Sequence, residues 1–403
     1  MIRAVAIAMA LMAMSASAQD LRGHGGPVRA LAAGEDGRII SGSFDTRAIA
    51  WDGVIATQIT RHHEGAVTAV LPLPDGQFAS GGQDGRVAIW GAGPEPLLSE
   101  AWHALPVAVL APWRDGLASA GWDGRIALWS GTGAPEMIDA HDGQITGLVA
   151  YRDGLASVGS DLRLRLWDEA GAPVAQSGLA APVAALATDG VGLFAASPDG
   201  TLRRIDPGSP GREVELSDRP LLSVAAGAGR VAIGGASGDV WMLDPYTLEI
   251  LGTMETGQGP VWALAFSEDT LLTGGADGLI RRWAIDGTPL GEGSGPPNPT
   301  LTSPRGAEVF RACAVCHTLT PDDGARAGPT LHGIFGRRIG TAEGYDYSRA
   351  LRGLDIVWTP RTVAELFEFG PEAYTPGSRM PEQRIPAESD RQALIEFLQT
   401  VSR

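Results

Sequence analysis

The sequence predicts a multidomain protein in which an all-β region of seven sheet-forming repeats precedes an all-α domain. Three observations carry this. A unit of 38 to 40 residues recurs from Leu21 to about Asp286, marked by tryptophans at 51, 90, 129, 167 and 283. From Gly287 to Thr302 the chain becomes a mixture of glycine and proline, which forms neither strand nor helix. Beyond it the period vanishes, and apolar residues fall at helical spacing around Cys313-Ala314-Val315-Cys316-His317.

Bulk properties agree. A chain of 403 residues exceeds what one hydrophobic core usually serves. Hydrophobic residues at 44% against 19% charged place it among folded chains, and 55 glycines with 28 prolines indicate many short turns. The net charge of −16 argues against a nucleic-acid partner. All 31 basic residues are arginine. At the start, Arg3 precedes an apolar run from Ala4 to Met14, and Ala16-Ser17-Ala18 offers the small residues read by a signal peptidase. Residues 1–18 are therefore expected to be a cleavable signal peptide, with cleavage before Gln19. The run is shorter than the roughly 20 residues that span a bilayer, and no cysteine follows it to carry a lipid. The mature protein is expected in the periplasm of a Gram-negative bacterium, with no membrane span after cleavage.

The repeats, assigned to residues 19–286, share an internal order. Alternating apolar segments such as Val28-Arg29-Ala30-Leu31 and Val67-Thr68-Ala69-Val70 come first. Stretches such as Ala79-Ser80-Gly81-Gly82-Gln83-Asp84 follow, and Asp84-Gly85, Asp123-Gly124, Asp199-Gly200 and Asp277-Gly278 mark tight turns between strands. The pattern resembles the WD-repeat β-propeller family, and counting copies yields seven blades. In that family a histidine, a serine or threonine, the turn aspartate and the tryptophan form one hydrogen-bond network per blade. The matching sets are His24/Ser41/Asp45/Trp51, His63/Ser80/Asp84/Trp90, His103/Ser119/Asp123/Trp129 and His141/Ser157/Asp161/Trp167. These four histidines are therefore expected to be structural, and His62 to lie on a surface loop. The copies ending at Ile205 and Leu243 lack histidine and tryptophan, and the seventh lacks the histidine. Packing is expected to hold those three blades more than the network does. Either Leu21-Arg22 or the region of Ile285 could supply the closing outer strand.

After the linker at 287–302, the domain at 303–403 opens with a helix from Pro304 that carries Gly306, Val309 and Phe310 on one side. In Cys-x-x-Cys-His the two thiols are spaced to add to the two vinyl groups of a haem, which sets the adjacent His317 beneath the iron as an axial ligand. A disulfide oxidoreductase would need a strand–helix setting around its cysteines. A zinc site would need further ligands, and no third cysteine exists.

From about Arg305 to Ser402 the sequence resembles the class I cytochromes c of the mitochondrial and bacterial electron-shuttle type. The match includes Gly328-Pro329-Thr330-Leu331-His332-Gly333 and the loop Tyr374-Thr375-Pro376-Gly377-Ser378-Arg379-Met380-Pro381. The resemblance implies that the Pro329 carbonyl accepts the hydrogen bond of His317 and fixes its tautomer. It also implies that Arg337, Tyr347 and Trp358 hold the haem propionates, and that Ser378 in the methionine loop touches the haem. Met380, the only methionine after the linker, becomes the sixth ligand. His332, within the proline loop, is expected on the side already held by His317. The last helix, opening at a cap-like Ser389, is expected to cross the first near Gly306 and Phe310 through Leu394 and Phe397. Two positions depart from the family: Leu351 replaces a polar residue near the haem, and Phe367 replaces a tyrosine that bonds the methionine sulfur. Charge departs too, because the shuttles dock through lysines and this chain has none. The net charge is −1 from Thr302 onward and −15 before it.

The expected function is single-electron transfer by one covalently attached haem c with His317 and Met380 as iron ligands. The protein reads as a carrier more than a catalyst, with the propeller docking redox protein partners in the periplasm. Two alternatives stand beside it. One is a redox enzyme whose propeller binds a substrate or second cofactor. The other is a redox-sensing or assembly scaffold.

Overall fold

The computed structural model describes residues 20–130, 133–208, 211–291, 304–314, 316–319, 321, 328–345, 347–378, 380 and 383–402. The expected signal peptide, most of the linker, Val315, Arg379 and Pro381 lie outside the described residues. The chain forms two compact units, one of strands and one of helices.

The strand unit is a ring of seven four-stranded antiparallel sheets. Each blade runs outward from an inner strand, as in β2 (Val28–Ala33), β3 (Ile39–Ser43), β4 (Arg47–Asp52) and β5 (Ile55–Arg61). The question of closure is answered by β1 (Leu21–Arg22). It pairs antiparallel with β28 (Leu279–Ala284), Leu21 opposite Ile280, and so supplies the outer strand of the seventh blade. The inner strand of that blade, β26 (Val261–Ser267), packs against β2 to complete the circle. The hydrophobic core is therefore divided among the joints. Seven apolar clusters each join two neighbouring blades, such as Ile40, Val67, Phe78 and Trp90 between the first and second. Because a flat sheet cannot cover both its own faces, each blade depends on its neighbours for burial.

The Asp–Gly turns explain the repeat's rigid punctuation. Gly85 has φ 72°, and a Cβ there would lie 2.2 Å from the His103 carbonyl oxygen. Asp84 caps the same turn, accepting from Arg86 N at 3.1 Å and Glu64 N at 2.9 Å.

The expected networks form in the second, third and fourth blades. His63 Nδ1 lies 3.1 Å from Asp84 Oδ1, His63 Nε2 lies 2.8 Å from Ser80 Oγ, and Trp90 Nε1 donates to Ser80 Oγ at 2.9 Å. His103 and His141 repeat the arrangement with their own partners. In the first blade Trp51 Nε1 donates to Ser41 Oγ at 2.8 Å. The seventh blade corrects the sequence expectation. Gln258 stands in for histidine: its Nε2 donates to Asp277 Oδ1 at 3.1 Å, its Oε1 accepts from Thr273 Oγ1 at 2.5 Å, and Trp283 Nε1 donates to Thr273 at 3.0 Å. An amide has one donor and one acceptor end, so it bridges the same two groups as a neutral imidazole. The fifth blade also has a polar substitute, because Arg203 donates to Ser197 Oγ at 2.9 Å and pairs with Asp199 at 2.8 Å. His62 is exposed at the outer edge, with Nε2 2.7 Å from Ser99 Oγ.

The composition-based linker starts later than its glycines imply. Ala284 N donates to Thr288 O and Leu290 N to Arg282 O, both at 2.8 Å, so the chain through Leu290 turns back along β28.

In the helical unit α1 (Pro304–Ala314), α2 (Arg349–Gly353), α3 (Pro360–Phe369), α4 (Pro371–Tyr374) and α5 (Glu388–Val401) enclose one apolar cluster. Helix α3 starts at a reciprocal cap between Thr359 and Thr362, with Pro360 in its first position. Helix α5 opens two residues earlier than read from the sequence. Ala387 occupies the cap and Ser389 sits inside the first turn, where Glu388 and Asp390 complement the helix dipole. Helices α1 and α5 cross as expected at Gly306, with the Phe310 and Phe397 rings 5.3 Å apart. None of the helices among the described residues is long and apolar enough to cross a membrane.

Candidate cofactor site

The site is assembled from the end of α1 and the loops that follow it. Cys313 lies in the last turn of α1 and is buried in the core cluster. Its carbonyl accepts from Cys316 N at 3.1 Å and from His317 N at 2.9 Å, so one further helical turn carries the second cysteine and the histidine round to the same side. Burial, reinforced by the neighbouring Cys316, pushes the Cys313 thiol up to about 12. A thiol–disulfide catalyst requires the opposite shift, so this environment suits a thiol consumed in a permanent bond.

His317 is oriented by the loop beneath it. Its Nδ1 donates to the Pro329 carbonyl at 2.7 Å, which places the ring proton on Nδ1 and the lone pair on Nε2. The loop is in turn bound to the motif, Gly328 N donating to Cys316 O at 2.9 Å and Leu331 N to Thr318 O at 2.8 Å. Gly328 is indispensable in a way the sequence reading did not recognise. A Cβ at that position would stand 2.4 Å from His317 Cε1 and 2.7 Å from Nδ1, so any side chain would displace the imidazole. The only sequence signal was its place directly before Pro329.

Arg337 and Trp358 are brought together by a short ladder. Gly336 N donates to Trp358 O at 2.8 Å, and Trp358 N donates to Arg337 O at 2.9 Å. Arg337 and Tyr347 act on each other electrostatically, and burial lowers the arginine and raises the tyrosine. The Arg337 guanidinium has a task visible in the chain itself: it donates to His332 O at 3.0 Å and to Thr330 O. The arginine thus holds the loop that holds His317. His332 lies on that loop, in the segment that partners His317.

Met380 packs on the apolar cluster that contains Cys313 and Phe367. Its backbone N–H donates to Ser378 Oγ at 3.1 Å, and Ser378 N donates to Thr375 O at 3.0 Å, so Ser378 shapes the loop that presents the sulfur. Ser348 Oγ donates to Gly377 O at 3.0 Å, a second restraint on the loop that the sequence did not advertise. The tyrosine nearest this region in sequence, Tyr374, turns its hydroxyl to Glu365 Oε2 at 2.8 Å. Burial and that carboxylate push it up to about 12. Phe367 is 6% exposed within the cluster and brings no hydroxyl to it.

These residues fit a covalently held haem: a buried thiol, a second cysteine one turn on, an imidazole whose lone pair is on Nε2, and an apolar cluster bordered by a methionine. The comparisons agree. The cytochrome c family profile matches residues 303–402, and the WD domain, G-beta repeat profile matches residues 16–52, 55–91 and 248–284. Cytochrome c of Stellaria longipes is 42% identical over 96 residues, covering 24% of this chain and 88% of the relative. That of Gibberella zeae is 40% identical over 95 residues, covering 23% and 89%. That of Arabidopsis thaliana is 41% identical over 96 residues, covering 24% and 85%. Through residues 303–402 the chain belongs to the cytochrome c family: it is an electron-transfer haem protein with covalently bound haem c, and a seven-bladed WD-type propeller precedes that domain in the sequence.

Proposed function

We propose that this is an exported, periplasmic electron carrier with a single haem c, attached through Cys313 and Cys316 and held axially by His317 and Met380. The haem supplies reversible one-electron exchange when bound. The observation that carries the reading is the 2.7 Å bond from His317 Nδ1 to the Pro329 carbonyl, itself held by Gly328 and, through Thr330 and His332, by Arg337. It fixes the neutral tautomer and the ring plane before any metal arrives, which supports an axial ligand of constant geometry. Met380 supports the second axial role by being the only methionine after the linker and by packing on the cluster that contains Cys313. Two protein ligands would exclude substrate from the metal, which favours transfer over catalysis. Arg337, Tyr347 and Trp358 are assigned to the propionate edge, where Arg337 retains further N–H donors after serving the loop. Export is supported by the charged, apolar and small-residue order of residues 1–18, and the lack of lysine is compatible with docking partners other than those of the lysine-rich shuttles. The propeller is assigned to docking those partners, raising the effective concentration of the haem beside them.

The test is spectroscopic. The oxidised protein should show the far-red charge-transfer band of methionine–iron ligation, and Met380→Ala should abolish it. An unchanged spectrum in Met380→Ala would remove Met380 from the site. Intact mass should show one haem per chain, and the Cys313→Ala/Cys316→Ala double variant should retain none after denaturation.

A further inference from the structure

Six of the seven blades carry a bulge in the inner strand at the same register position. In β2 the pairing with β3 skips Arg29, and in β26 the pairing with its neighbour skips Trp262. A bulge re-aims the side chain it releases, and inner strands surround the axis of the ring. Arg29 is half-buried, and Nη1 reaches across to the next blade, 3.4 Å from the Trp262 carbonyl. Burial lowers the pKa of its guanidinium, and among the described residues no carboxylate pairs with it. Other enclosed arginines of this unit differ: Arg165, Arg204 and Arg281 pair with Asp161, Asp206 and Asp277 at 2.6, 2.9 and 2.9 Å. That contrast occurs in a region whose net charge is −15, where acidic partners are plentiful. Trp262, whose carbonyl Arg29 reaches, is partly exposed, and its ring meets that of the partly exposed Phe44 5.8 Å away. On the same tier, the bulged Thr146 buries a hydroxyl without a partner.

We propose that the inner-strand tier around Arg29 binds a carboxylate group, with Arg29 as its anchor and Phe44 and Trp262 as the apolar wall. A guanidinium presents a planar fork that matches a carboxylate in two parallel hydrogen bonds, and it loses little hydration on binding. A half-buried cation with no carboxylate partner among the described residues is costly to keep, and a site for an incoming anion explains its retention. The carboxylate can come from a small free acid or from the C terminus of a partner. The site stands on the propeller alone and is independent of the reading of the haem domain.

The experiment titrates the full haem-loaded chain calorimetrically with acetate, tetraglycine and tetraglycine amide. Saturable binding of acetate or tetraglycine, without binding of the amide, is expected. Comparable affinity for acetate and tetraglycine assigns a free acid, and tighter tetraglycine binding assigns a C terminus. Arg29→Gln should weaken binding at least about ten-fold, the loss of one charge-assisted bidentate contact. In carboxylate-free buffer it should melt no lower than the wild type. Arg29→Lys preserves the charge but loses the fork, so it should fold normally and bind several-fold more weakly. Equal binding by Arg29→Lys and the wild type, equal binding of the amide, a lower melting temperature for Arg29→Gln, or no saturable heat with the wild type would each overturn the proposal.

Discussion

Replacing Gly306 by alanine tests the central joint of the haem domain. A Cβ there would stand 2.3 Å from the Ala393 carbonyl oxygen and 2.6 Å from Phe397 Cβ, both on α5. Normal carbon–oxygen contact needs about 1 Å more, so α1 and α5 must separate by roughly that distance. A gap of that size forfeits a quarter to a half of each dispersion contact across the crossing, where Phe310 meets Phe397. Overpacking of this kind costs about 2–4 kcal/mol against backbone, of which alanine's better helix propensity returns about 1 kcal/mol. The net expectation is a loss of about 1–3 kcal/mol, a fall in melting temperature of roughly 4–8 °C per kcal/mol for a domain of this size. Thermal unfolding followed by haem absorbance isolates this domain from the propeller. Gly353→Ala is the control, because a Cβ there meets nothing within 4 Å. If Gly306→Ala melts at or above the wild-type temperature, the crossing does not require glycine and the packing argument fails.

Gly328→Ala should move the His317 ring and break its bond to Pro329, changing the haem absorbance and the potential while the propeller's circular dichroism is preserved. An unaltered spectrum and potential would show that the loop yields freely. Gln258→Ala should destabilise the seventh blade by about 1–3 kcal/mol, because the buried Thr273 hydroxyl loses its acceptor and Asp277 loses one of its donors, and Gln258→His should restore most of it. Equal denaturant midpoints for the alanine and histidine variants would contradict the substitution. Leu21→Ala empties a fully buried place in the joint between the seventh and first blades, and should cost about 2–4 kcal/mol in a urea titration. Asp161 responds to pH. Burial would raise its pKa, but hydrogen bonds from Arg165 and His141 outweigh burial and hold it down at about 2. Because the folded value is depressed, its contribution is present above the ordinary carboxylate range and disappears as pH falls from about 4 towards 2. Asp161→Asn should flatten the stability profile in that window, and parallel profiles would refute the role.

Much of this was legible because both domains write their constraints locally. A propeller blade repeats its turn chemistry, so Asp84-Gly85 and the tryptophan ten residues after each network serine reveal the period without any long-range information. The haem motif is equally local, since two thiols and an imidazole must lie on consecutive turns to meet one ring. What escaped the sequence depended on partners distant in the chain. Gln258 reads as an ordinary loop residue until Thr273 and Asp277 close around it. Arg29 reads as one polar position in an alternating strand until the bulge turns it toward Trp262, 233 residues away.

The chain's linear order alone thus determined seven blades and a Cys-x-x-Cys-His motif, because spacing along one strand or helix encodes each. Folding decided which terminus closes the ring: Leu21 opposite Ile280 is a pairing between sequence ends, and no local pattern prefers it to its rival. Folding also decided that Gly328 must be glycine. Only when the loop returns beneath α1 does the imidazole of His317 occupy the volume a side chain would need.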